Sequence, residues 1–74
     1  MFKYTFEMTL GRLFARKTRF ELEKYCAREG LEVSFMESKG WLEVDYQVVI
    51  RGAASKWPKV QKELETWFKE LRAA

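Results

Sequence analysis

The acids Glu7, Glu32, Glu43 and Asp45 all fall at positions that a strand would turn away from its apolar side. Side chains two apart in a strand share a face, so Glu43 and Asp45 would be neighbours. Grouped carboxylates can hold a hard cation such as Mg²⁺ through their oxygens. Acids on a solvated sheet face produce the same pattern without a metal, and that is the reading adopted. The chain has no histidine, which removes the His-based triads and zinc sites built from Cys and His. Cys26 is its one cysteine. It falls on the apolar stripe of a helix, where a thiol packs as a small hydrophobe; a reactive thiol needs exposure and a lowered pKa. The four glycines sit at the ends of elements and form no phosphate-cradling loop. No catalytic residue, cofactor or metal site emerges, and the chain is read as a non-enzyme.

A second constellation is basic. Arg12, Arg16, Lys17 and Arg19 crowd into a short stretch around Phe14. Basic groups can neutralise a phosphate backbone while an aromatic ring stacks on a base. The competing reading is a solvated basic loop with Leu13 and Phe14 folded over the edge of the core. The net charge is +3 and the pI about 9.2, but the charge is unevenly spread. Residues 1–19 carry five basic groups and one acid, residues 20–52 carry four and seven, and residues 53–74 five and three.

These groups must be positioned by a small scaffold. Its 74 residues allow one domain, 1–74, and its 47% hydrophobic fraction allows a core. Residues 2–10 alternate, with Phe2, Tyr4, Phe6, Met8 and Leu10 on one face, which predicts a half-buried strand. Residues 11–17 show no clean period and read as a loop, with room for a helical turn. Thr18 and Glu21 match a capping box, opening a helix over 19–29 with Leu22, Tyr25 and Cys26 on its stripe. Gly30 stands where a glycine would let the chain leave that helix. Residues 31–37 alternate with Leu31, Val33 and Phe35 inward. A short turn at Ser38-Lys39-Gly40 leads to a third strand over 41–51, with Leu42, Val44, Tyr46, Val48 and Ile50 inward. Gly52 to Ser55 link to a last helix, capped by Ser55 or by Trp57 with Pro58 at the first helical position. Its apolar stripe is Trp57, Val60, Leu64, Trp67, Phe68 and Leu71. The last three residues are expected to fray.

One apolar face per strand and one stripe per helix predict an α+β two-layer sandwich of order β-α-β-β-α. The three-stranded antiparallel sheet has order 1-3-2, and both helices lie on one face. This arrangement resembles a ferredoxin-like fold lacking its last strand, a resemblance of topology alone, carried by no motif. An acidic outer sheet face argues against base stacking there. Met36, Lys39, Trp41 and Val49 point outward or flank the hairpin turn, and such Met and Trp residues suit a protein interface. Phe20 lies off its helix stripe, either exposed or covered by Leu13 and Phe14.

The expectation is therefore a protein-binding or self-assembling module. Its partner would be another protein, or a second copy through the open edge of strand 1. The alternative is a nucleic-acid-associated protein using Arg12, Phe14, Arg16, Lys17 and Arg19. No apolar run is long enough to span a membrane, and the lone cysteine suits a cytoplasmic, reducing compartment.

Overall fold

The computed structural model describes residues 1–73. Its elements are β1 (Phe2–Gly11), α1 (Arg12–Arg28), β2 (Glu32–Lys39), β3 (Glu43–Gly52) and α2 (Trp57–Ala73), with a 3₁₀ turn over Ala54–Lys56 before α2. The sheet has order β1-β3-β2 and both of its pairings are antiparallel. The register sets Phe6 opposite Val48 on one side and Phe35 opposite Val48 on the other, so three apolar rows share a face. β3 lies at the centre, and its Val44, Tyr46, Val48 and Ile50 are buried.

Both helices cover that one face. Ala15, Leu22 and Cys26 from α1 and Val60 and Leu64 from α2 join the β3 row in a single core. Two aromatic contacts seat α2 on β1: Trp57 lies 5.0 Å from Phe2, and Phe68 meets Phe6 edge-on at 5.0 Å between ring centroids. Offset and edge-to-face pairs of this kind add to simple area burial. The other face of the sheet carries no helix. It presents Lys3, Thr5, Glu7 and Thr9 from β1 beside Glu43, Asp45 and Gln47 from β3, all exposed.

The end of α1 follows the sequence closely. Gly30 takes φ +70°, a left-handed value open to glycine at little cost. The Leu31 N–H donates to the Cys26 carbonyl at 2.8 Å and the Gly30 N–H to the Ala27 carbonyl at 3.3 Å. That pair is the Schellman pattern. Leu31 and Cys26, the residues it joins, are both in the core.

Several expectations are corrected. Residues 12–17 are helical, not a loop, and α1 starts at Arg12 behind Gly11, which gives no side-chain cap. Thr18 is consequently not an N-cap; it is buried mid-helix. The helix faces the sheet with its small residues, Ala15 and Thr18, while Leu13 and Phe14 face solvent, so the apolar period breaks down where the helix does not. The third strand begins at Glu43, and Leu42, expected inward, is exposed in the connection. There the Gly40 N–H donates to the Glu43 carbonyl at 2.8 Å, so the chain turns at Gly40, Trp41 and Leu42 and β2 extends to Lys39. The 3₁₀ turn displaces the cap expected for the last helix, leaving Pro58 as the second residue of α2. Of the three residues expected to fray, Arg72 and Ala73 continue α2, and Ala74 lies outside the described residues.

Gly52 tests the packing at the foot of β3. A Cβ there would collide with Leu31 and come within 2.8 Å of the Phe2 ring. Gly52→Ala is expected to destabilise the fold by about 1–3 kcal/mol through overpacking, measured by urea unfolding. Gly11→Ala, whose added carbon would meet Phe14 at 3.9 Å, is expected to change little.

Candidate binding surfaces

The start of α1 is tied to the β2–β3 connection. The Arg12 N–H, one of the four amides a helix leaves unsatisfied at its start, donates to the Leu42 carbonyl at 3.0 Å. The Arg12 guanidinium also reaches the Trp41 carbonyl, at 3.4 Å. These bonds bring Leu13 and Phe14 beside Trp41 and Leu42. The four side chains surround a shallow hollow of about 520 Å³ together with Gly11 and Arg12. They are 91%, 65%, 87% and 71% exposed in that order. A contiguous apolar patch on a small protein marks a contact surface more often than isolated exposed residues do.

A basic groove opens next to this hollow, between α1 and the far ends of β2 and β3. It holds about 680 Å³ and is lined by Arg12, Arg16 and Arg19 from α1 and Glu37 and Lys39 from β2, over Val44 and Tyr46. Spacings of four and three residues put Arg12, Arg16 and Arg19 on one helix face. Arg19 is already engaged. Its Nε donates to Glu23 at 2.8 Å, and its guanidinium lies 4.6 Å over the Phe35 ring and 5.8 Å from that of Tyr46. The hydrogen bond to Glu23 raises its pKa further. Lys39 faces Glu37 at 3.9 Å. Among the described residues Arg12 and Arg16 make no ion pair, so they offer uncompensated positive charge beside the hollow.

The residues singled out in the sequence are thus regrouped. Of the proposed nucleic-acid set, Arg12, Arg16 and Arg19 meet in the groove; Phe14 sits in the apolar hollow, and Lys17 lines neither. The proposed protein-binding set divides. Met36 and Val49 lie on the helix-free sheet face, Met36 opposite Gln47 and Val49 between Thr5 and Ser34. Lys39 is on the opposite face, in the groove, and Trp41 belongs to the hollow. Leu13 and Leu42 were not singled out for binding. The missing period around Leu13 was their one signal, while the alternation of β3 assigned Leu42 to the core. Phe20 is exposed, with the Lys24 ammonium 5.5 Å from its ring.

The remaining candidates for chemistry are quiet. On the helix-free face the Thr9 hydroxyl donates to Asp45 at 2.7 Å. No three His, Cys, Asp or Glu side chains group there or elsewhere among the described residues in a way that could hold a metal. Among the described residues the buried Tyr25 hydroxyl has no hydrogen-bond partner, and burial, with Glu63 nearby, pushes its pKa up. Cys26 is fully buried, and burial pushes its thiol up to about 11. Among the described residues no helix is long and apolar enough to cross a membrane. Comparison with known protein families, with curated proteins and with solved structures gave no match, so the geometry alone bears on function.

Two outcomes follow for Cys26. Ellman's reagent should label it in the native protein at pH 8 no faster than the protein unfolds; rapid labelling would contradict its burial. The thiol's pKa is higher folded than its ordinary 9.0. The folded state therefore holds its proton more tightly, and stability is fully present below pH 9 and lost as pH rises through about 11. Denaturant melts across that window should show the decline, and replacement of Cys26 by alanine should reduce it.

Proposed function

We propose that this chain is a small non-enzymatic binding module that docks another protein at the hairpin end of its sheet. The observation that carries the proposal is the exposed cluster of Leu13, Phe14, Trp41 and Leu42 around one hollow. A core of this size needs every apolar side chain it can bury, so four large ones left in water at one place call for a partner. Trp41 has the character of an anchor, since buried tryptophan dominates many interfaces. Arg12 and Arg16 beside it favour a partner that carries carboxylates next to its own apolar side chains. The apolar hollow also lets a second copy associate end to end, the self-assembling form of the same reading. A single buried thiol suits the reducing cytoplasm.

A specific observation favours a second reading. Arg12, Arg16 and Arg19 line one face of α1 with Lys39 across the groove, an arrangement that can follow phosphates. Against it stand Glu23 and Glu37 in the same groove, whose carboxylates repel phosphate.

Selection of random peptides displayed on phage against the full chain separates these readings. Peptides pairing aromatic or aliphatic residues with Asp or Glu are expected to be enriched. Trp41→Ala should weaken their binding by about 2 kcal/mol, roughly 30-fold, and Arg12→Glu with Arg16→Glu should weaken it as well. Enrichment of basic peptides, or indifference to Trp41, would contradict the proposal. Fluorescence anisotropy with a single-stranded oligonucleotide tests the second reading. Contacts to about three phosphates predict a slope near −2 in log affinity against log salt; no binding at low salt would discard it.

A further inference from the structure

The apolar row that β1 turns toward the helices is only half-buried along its whole length, whereas the matching row of β3 is buried. Position explains the difference. β1 is an edge strand: β3 pairs with one side of it, and among the described residues no strand pairs with the other. Trp57 and Phe68 of α2 rest on Tyr4 and Phe6, at 5.3 and 5.0 Å between ring centroids, so α2 lies above this edge. A helix is about 10 Å across, and neighbouring strands are about 4.8 Å apart. A helix over β1 therefore overhangs it by about one strand spacing. Under the overhang runs a groove of about 450 Å³, lined by Tyr4, Phe6, Met8 and Leu10 below and by Phe68 and Leu71 above.

The geometry points to this groove as the docking site for one extended segment of a partner protein, added antiparallel to β1 as a fourth strand. The unpaired N–H and C=O groups of an edge strand supply the backbone ladder. The half-buried row requires apolar side chains at alternate positions of the segment, facing α2. On the outer face β1 presents Lys3 and Glu7. Opposite charges stabilise a cross-strand pair and like charges oppose it, so the segment carries an acid opposite Lys3 and a base opposite Glu7. The occupant is a strand with no helix above it. A second copy offering its own β1 would bring its α2 along, and helices over adjacent strands would lie about 5 Å apart where packed helices need about 8–10 Å. The groove lies along the edge of β1 and does not include Trp41 or Leu42, so it is independent of the hairpin end.

The test uses the ¹⁵N-labelled full chain and the synthetic peptide acetyl-TVKITVEV-amide, which places lysine opposite Glu7 and glutamate opposite Lys3. Saturable amide shifts are expected along β1 and around Phe68 and Leu71, with none at Trp41. Acetyl-TVEITVKV-amide, with the charges exchanged, should bind about fivefold more weakly. The double variant Lys3→Glu, Glu7→Lys should reverse that preference. Leu71→Glu, a change at a half-buried position near the end of α2 that lies outside the core, should weaken both peptides while leaving the fold intact. Three outcomes would overturn the inference: no saturable shift along β1 at millimolar peptide, a preference that the double variant fails to reverse, or concentration-dependent shifts along β1 without peptide, which would give the groove to a second copy.

Discussion

The rest of the structure depends on the one-sided burial of β3. Its alternating row, Val44, Tyr46, Val48 and Ile50, is buried under two helices, and the intervening residues face water. Such a strand lies in the middle, between two partners whose apolar rows match it in register. β1 and β2 do match, residue for residue. Both helices then lie on the same side, because the other side of all three strands is mostly polar, with Met36 and Val49 as its apolar exceptions. Two ties hold the helix layer together at its far end, where Lys59 pairs with Glu29 at 3.2 Å and the Lys56 ammonium donates to the Glu29 carbonyl.

That arrangement leaves surfaces uncovered, and the proposed function rests on them. The helix layer covers the sheet face but not the connection between β2 and β3. The bonds from Arg12 to the carbonyls of Trp41 and Leu42 pull that connection against the start of α1. They collect apolar side chains from two elements at a place where no third element covers them. Arg19 closes the inner part of the neighbouring groove by its contacts with Glu23, Phe35 and Tyr46, while Arg12 and Arg16 keep its outer part positive. Apolar hollow and positive rim are adjacent because one helix turn supplies both.

Much of the fold was legible in the sequence because alternation is a strong signal. The three strands, their order, the glycine at the end of α1 and the stripe of α2 all follow from period and turn chemistry. The first turns of α1 were not legible, for a physical reason. Apolar periodicity marks a helix only if its large residues face the core, and here Ala15 and Thr18 do so while Leu13 and Phe14 face out. The Thr18–Glu21 pattern then supplied a false start, which tertiary packing overrides. Leu42 misled in the same way: it continued the alternation of β3 by one residue past the point where pairing stops. The grouping of Met36 with Lys39 failed for a simpler reason. Residues an odd number apart in a strand face opposite sides, and proximity to the turn concealed that parity.

On the proposed reading, the apolar residues at the hairpin end are surplus to folding and so are free for a partner. Urea unfolding of the double variant Trp41→Ser, Leu42→Ser measures this directly. Because both side chains are largely exposed, the unfolding free energy should stay within about 1 kcal/mol of the parent, as for surface substitutions generally. A loss of about 3 kcal/mol or more, the scale of emptying a core position, would mean that these residues hold the fold together and would contradict the account.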